Sequence, residues 1–350
     1  MDATLQPLVS IVTPVYNGAQ YLPECIESIL AQTYQNWDYT IINNCSTDET
    51  MDIARRYAAR DSRIRIHENR EFLSVIPNHN GALRQISPAS KYCKMVFADD
   101  WIFPECIERM VSVAEEYPSV GIVSAYVLQG WEVICTGLPY STNVVKGREI
   151  CRRHFLDRLY VFGSANAVLY RADFVRSMDP FFNEANIHAD TEVCFTLLRS
   201  SDFGFVHQVL TYTRVRSESL STISTDLQTS FAGMLQLLLA HGAEYLSQDE
   251  LQSLIQHLMS QYYRFLGKSL LLGQGDVLSY HKRKLVDAGV GFSWLRVVKG
   301  ALAAISGSVL NPKSTAEKLL KTGNRLPSSE YEQHHVSRPT TDARQGNSIG

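Results

Sequence analysis

The chain has no CxxC pair, no GxGxxG stretch, no basic glycine-rich loop after its first apolar run and no excess of positive charge. Each absence closes a route. Its seven cysteines, Cys25, Cys45, Cys93, Cys106, Cys135, Cys151 and Cys194, are an odd, scattered set. They read as reduced thiols of a cytosolic protein rather than as a disulfide framework or a zinc site. Without GxGxxG after a strand, a nicotinamide-dependent enzyme is disfavoured. Thr13 to Ala19 holds one glycine and no Lys or Arg, which weighs against a nucleotidyltransferase. A net charge of −3 leaves no nucleic-acid footprint. Met1 to Val9 lacks a basic stretch followed by an apolar run, so neither a signal peptide nor an anchor is expected there. Gly300 to Leu310 is too short for the roughly 20 residues that a membrane span needs.

What is present is ordinary for a folded chain: 350 residues, 45% hydrophobic and 20% charged. The length suits a large domain with a smaller appendage. Over the first 125 residues short apolar runs alternate with helical patterns. Strands are expected at Val9 to Val12, Tyr39 to Ile42, Ile64 to Ile66, Lys94 to Phe97 and Val120 to Val123. Between them, Leu22, Cys25, Ile26, Ile29 and Leu30 share a helical face, and Ser46 with Glu49 reads as a capping box before a second helix. Further helices are expected at Asn78 to Ile86 and Pro104 to Tyr117. Successive βα units predict a mostly parallel sheet covered by helices. Beyond Val133 the pattern weakens into mixed strands and loops until a helix over Thr191 to Ser200. Thr229 to Leu272 is strongly helical, and the stretch from Leu326, rich in Ser, Thr, His and Pro, is expected to be disordered.

In such sheets ligands gather outside the carboxyl ends of the strands. There lie Thr13 to Asn17, Asn43 to Asp48, and the adjacent carboxylates Asp99 and Asp100. Two neighbouring carboxylates need a cation or an array of donors to offset their field. Magnesium or manganese, which binds through one or two carboxylates plus substrate phosphates, is the natural partner. A solvated turn whose aspartate caps the next helix is the plainer alternative.

Taken in order, Val9-Ser10-Ile11-Val12-Thr13-Pro14-Val15-Tyr16-Asn17, Gln32-Thr33-Tyr34, Cys45-Ser46-Thr47-Asp48 and Ala98-Asp99-Asp100-Trp101 resemble the inverting family-two glycosyltransferases with the GT-A fold. The likeness runs over Val9 to Val123 and more loosely to Ser221. It implies a Rossmann-like sheet and a nucleotide diphosphate sugar donor whose base lies against Pro14, Val15 and Tyr16. It also implies that Asp99 faces the ribose and donor sugar and that Asp100 binds a divalent metal, Mn2+ or Mg2+. Where the family carries an acidic pair after the second strand, this chain has Asn43 and Asn44, and Asn44 is the expected base contact. The family's Glu-Asp before a late helix becomes Ala189-Asp190, with Asp190 as general base, a group that an attacking hydroxyl requires. Its plainer role is a helix cap. His188, Glu192, Gly163 and Ser164 are placed on the acceptor side, and Arg216 at a diphosphate-contacting position.

From His281 to Arg325 nine basic residues face two acids, and Trp294, Leu295, Val297, Val298, Ala301, Leu302 and Ile305 form an apolar band among them. That is the composition of a surface-lying amphipathic helix; a helix packed on the catalytic domain is the alternative. The expected layout is a catalytic domain over 1–225, with a nucleotide-sugar half at 7–125 and an acceptor half at 126–225. A helical extension over 226–325 and a tail over 326–350 follow. The extension offers peripheral contact with the inner membrane face through 282–325, or a homo-oligomer contact. The reading is a cytoplasmic enzyme of polysaccharide or cell-envelope synthesis acting on a saccharide or lipid-linked acceptor. Its rival is a degenerate subunit that binds the donor without turnover.

Overall fold

The computed structural model describes residues 6–215 and 220–310. The chain begins β1 (Val9–Val15), α1 (Leu22–Leu30), β2 (Trp37–Asn43), α2 (Thr50–Ala58), β3 (Ile64–Glu68), α3 (Val75–Leu83), β4 (Tyr92–Met95), β5 (Trp101–Ile102) and α4 (Cys106–Glu116). It continues with β6 (Val120–Gln129), β7 (Glu132–Ile134), β8 (Val144–Val145), α5 (Gly147–Asp157), β9 (Leu169–Arg171), α6 (Ala172–Ser177), α7 (Ala189–Leu198) and β10 (Asp202–Thr213). Then come α8 (Leu220–Leu227), α9 (Ser230–Tyr245), α10 (Gln248–Leu271), α11 (Gly275–Asp287) and α12 (Trp294–Leu310).

The sheet runs β3-β2-β1-β4-β9-β6-β10-β5. The first four strands are mutually parallel, and so are β6 and β10; β9 lies antiparallel between β4 and β6. Every residue of β1 is buried, as expected of a parallel strand covered on both faces. β1 continues three residues past the expected Val12 because Thr13, Pro14 and Val15 keep pairing with Ile41, Ile42 and Asn43 of β2. β4 stops at Met95, so a short loop rather than a strand delivers Asp99 and Asp100.

Two expectations need correction. Ser46 and Glu49 form no capping box: the Ser46 hydroxyl accepts from Asn17 N at 3.0 Å, and Asp48 accepts from Thr50 N at 3.0 Å where the helix begins. The stretch after Val133 is more helical than its pattern, with α5 and α6 inserted. Polar residues dilute the periodicity of α5, yet Ile150, Cys151, His154 and Phe155 are buried.

Two compact units emerge: one comprises residues up to Tyr262 with Gln274–Phe292, the other Tyr263–Gly273 with the chain from Ser293. The division expected at 225 does not coincide with this one. α9 buries Leu235, Leu237 and Leu238, Leu237 and Leu238 join the core cluster that holds Cys151, Phe155 and Phe195, and Tyr245 donates to the Phe195 carbonyl. The tail expected from Leu326 lies outside the described residues.

Candidate functional site

At the carboxyl end of β1 the backbone is held by side chains from the loop after β2. Asn17 N donates to Ser46 Oγ at 3.0 Å, Gly18 N to Thr50 Oγ1 at 2.8 Å and Ala19 N to Asp48 Oδ2 at 3.0 Å; Thr47 N returns a bond to Asn17 Oδ1 at 2.8 Å. Burial opposes ionisation of Asp48, but the bonds from Thr50 and Ala19 outweigh it and hold its carboxyl below the usual range. A β-carbon on Gly18 would lie 2.5 Å from Val15 Cγ2, so only glycine lets the turn close this tightly. This clamp presents Tyr16, 50% exposed, with its ring edge-on to Phe72 at 4.8 Å.

Asn44 does something other than expected. Its side chain is 2% exposed; Nδ2 donates to Leu73 O at 2.8 Å, and Oδ1 accepts from Leu73 N and Asn69 Nδ2, each at 2.9 Å. An amide so engaged orders the 69–73 loop, and Asn44 is absent from the cleft wall. The amide both donates to Leu73 O and accepts from Leu73 N, which an ionised carboxylate cannot do.

The Asp100 carboxylate is 3% exposed and accepts from Asn166 Nδ2 and from Arg214 N, both at 2.8 Å. Beneath it Lys94, fully buried, donates to the Asn166 carbonyl at 2.5 Å, and burial lowers its pKa. Asp99 is partly exposed. Arg214 Nε donates to the Asp99 carbonyl at 3.1 Å, and its Nη2 reaches Glu24 Oε2 at 2.6 Å. Its guanidinium lies 4.5 Å from the Tyr21 ring and 5.3 Å from that of Trp101, which stacks on Tyr212 at 3.6 Å.

Asp190 sits in the first turn of α7, its Oδ1 accepting from Thr191 N at 2.8 Å. Burial raises its pKa above that of an ordinary aspartate, against the opposing pull of the Thr191 amide and His188. The helix starts at Ala189 with His188 at the cap position, so Asp190 is not the cap itself. His188 Nε2 pairs with Thr229 Oγ1 at 2.9 Å, and its ring packs where a β-carbon on Gly233 would clash at 2.3 Å. That fixes His188 against α9.

Pro14, Val15, Tyr16, Asp99, Asp100, Ser164, His188 and Asp190 all line a single cleft of about 700 Å³. Gly163 and Glu192 do not. Gly163 is a buried turn with φ of +71°, and Glu192 accepts from Asn183 and Asn186 (2.7 Å from the latter), bracing the loop before α7. Arg216 lies outside the described residues. The cleft also contains residues that sequence reasoning passed over. Arg214 is one, signalled only by following a strand. His79 is another, stacked on Phe97 at 5.0 Å, without a hydrogen-bond partner among the described residues and pushed down to about 4 by burial, hence neutral.

Among the described residues, three carboxylates and the guanidinium of Arg214, which is engaged by Glu24, face the cleft. Among the described residues no three His, Cys, Asp or Glu side chains converge as a metal group. The carboxylate oxygens of Asp99 and Asp100 are of the type that suits a hard divalent cation arriving with phosphate oxygens.

Comparison with known proteins agrees with this geometry. Residues 10–175 match the model of glycosyl transferase family 2. An uncharacterized glycosyltransferase of Haemophilus influenzae is 29% identical over 188 residues, 53% of this chain and 58% of that protein. One of Rickettsia typhi is 28% identical over 240 residues, 67% of this chain and 69% of its own. The chain thus spans little more than half of the Haemophilus relative. Among solved structures, S. aureus TarS 1–349 in complex with UDP-GlcNAc aligns with a TM-score of 0.58 at 15% identity, over 86% of this chain and 89% of that one. The mannosyltransferase PcManGT of Pyrobaculum calidifontis, in complex with GDP-Man and Mn2+, aligns at 0.53 and 16% identity, over 91% and 84%. The likeness to these solved structures shows a mixed α/β GT-A fold with helices following it.

Proposed function

We propose that this chain transfers a sugar from a nucleotide diphosphate donor to a hydroxyl of a saccharide or lipid-linked acceptor by a single inverting displacement. The observation that carries the proposal is that Tyr16, Asp99, Asp100 and Asp190, separated widely in sequence, line one cleft. The nucleoside lies toward Tyr16 and Phe72, and the diphosphate toward Asp99, Asp100 and Arg214. A divalent cation, Mn2+ or Mg2+, would be held there by the two aspartates and would stabilise the charge on the departing diphosphate. Asp190 takes the acceptor hydroxyl's proton as its oxygen attacks the anomeric carbon. Burial suits Asp190 to this, since a base whose pKa rises toward the working pH accepts a proton more readily. Arg214, already fixed on Asp99 and Glu24, orients the phosphate end. The free thiols fit a cytoplasmic enzyme, and the acceptor class we assign is that of polysaccharide or cell-envelope synthesis.

Asp190→Asn tests the role of the base. Turnover of a nucleotide sugar in the presence of manganese should fall by about 10² to 10⁴ while calorimetric donor binding is retained. Full transfer by this variant would end the proposal. Donor binding with no transfer or hydrolysis by the unaltered chain would favour a non-catalytic donor-binding subunit, for which Asn43, Asn44 and Ala189 are the motivating departures.

A further inference from the structure

We propose that the C-terminal unit docks on an anionic lipid surface through the outward face of α12. Within this unit two glycines bring α12 and residues 263–273 into backbone contact. A β-carbon on Gly267 would lie 2.1 Å from Ala301 N, and one on Gly300 would lie 2.1 Å from Tyr263 O. Ser293 N donates to the Tyr263 hydroxyl at 3.1 Å at the start of the helix. This side buries Val297 at 0% and Ala301 at 7% exposure. The orientation of α12 in the unit is therefore fixed by close packing, and what it turns outward is a property of the fold.

At about 100° per residue, Trp294, Ile305, Val298, Leu302 and Leu295 fall within about 100° of arc beside the buried stripe. All five are exposed, from 47% for Val298 and Ile305 to 66% for Leu295. Arg296 and Lys299 occupy the next sector. Leu271 and Leu272, in the same unit, are 52% and 61% exposed. The described residues of the unit contain four cations, Arg264, Lys268, Arg296 and Lys299, and no acid.

Contiguous apolar surface of this kind marks an interaction site, and the charge decides its occupant. A second copy would bring one cationic unit against another. A bilayer with anionic headgroups offers apolar depth and opposite charge together, the pairing that an in-plane amphipathic helix exploits. No helix among the described residues is long and apolar enough to cross a membrane, so the contact is along the surface. The proposal does not rest on the catalytic reading, because none of these residues lines the cleft.

Flotation of the full chain with vesicles tests it. The chain should rise with vesicles of mixed phosphatidylcholine and phosphatidylglycerol, less with phosphatidylcholine alone, and less as salt is added. Leu302→Asp should weaken binding to the mixed vesicles at least about tenfold, since it replaces apolar area that would leave water with a charge. Arg296→Gln with Lys299→Gln should abolish the preference for the anionic lipid. Circular dichroism and solution donor turnover should be unchanged in both variants. Failure of the unaltered chain to float, or equal flotation by Leu302→Asp, would overturn the proposal. So would light scattering that shows a dimer which Leu302→Asp converts to monomer, because the face would then belong to a second copy.

Discussion

At the Tyr16 end of the cleft the walls are short loops at strand ends, tied to one another by backbone amides donating to Ser46, Asp48, Thr50 and Asn17. At the Asp190 end the wall is the first turn of a helix backed by α9, with a carboxylate that burial makes reluctant to ionise. The first end spends its polar groups on rigidity and leaves an aromatic ring for contact. The second turns a buried carboxyl group, its pKa raised by burial, toward the cleft. On the proposed function, binding would fall to this pre-formed frame and chemistry to Asp190, a division common where a fold supports a reaction. Asp100 lies between the two ends, exposing little of itself and accepting from both Asn166 and Arg214.

Asp100→Ala should have the largest effect on donor binding and also touch the fold. Calorimetry should show metal-dependent donor binding lost, and thermal denaturation should show destabilisation of about 1–3 kcal/mol, because Asn166 Nδ2 and Arg214 N lose a buried acceptor. Metal-dependent binding that survives would place the cation on Asp99 alone. Next in size, Tyr16→Ala should weaken donor binding about tenfold or more with little change in melting temperature, since the ring is half exposed beside Phe72 and stacking on a base is worth about 1–3 kcal/mol. An unchanged dissociation constant would remove the base from this end of the cleft.

The pH dependence separates the two ends again. Asp190 acts ionised, so kcat/KM should climb with pH along a limb displaced upward from that of an exposed aspartate. His188 lowers the carboxyl's pKa, so His188→Gln should move the limb further up, measured as the midpoint of the acid arm. For stability the sign is opposite to that of a salt-bridged aspartate. With the folded pKa raised, Asp190's contribution is fully present below the unfolded value and is lost as pH rises through the folded one. Asp190→Asn should therefore leave the melting temperature at neutral pH unchanged or higher. A drop would mark the carboxylate as a structural group of the first turn of α7.

How much of this was legible beforehand follows from the range of the interactions. Apart from the two-residue β5, the elements from β1 to α4 could be read because each is a short apolar run or buries a locally periodic face: Leu22, Cys25, Ile26 and Ile29 of α1 are all buried as their spacing indicates. The helices α5 and α6 could not, since their burial depends on partners far along the chain rather than on a clean stripe. The same distinction governs the site. Asp99, Asp100, Tyr16 and Asp190 stand in recognisable positions after strands or before a helix and do line the cleft. Arg214 and His79 acquire their places from contacts with Glu24, Tyr21 and Phe97, which nothing local announces. Asn44 shows the converse error: a position suggestive of base contact, occupied by a side chain that the fold uses internally.

Asn44→Ala accordingly gives the smallest expected change in turnover, and it sharpens the contrast between frame and chemistry. Removing the amide leaves Leu73 N, Leu73 O and Asn69 Nδ2 short of a buried partner. Asn69 keeps Asn78 Oδ1 at 2.9 Å, so part of the network survives. Stability should fall by about 1–3 kcal/mol in urea denaturation. The loop that carries Phe72 should loosen, and KM for the donor should rise a few-fold, while kcat stays constant because Asp190 and Asp100 are untouched. A fall in kcat at unchanged KM would show that the 69–73 loop reaches the reacting atoms, and the frame at the Tyr16 end could no longer be treated as separate from the chemistry.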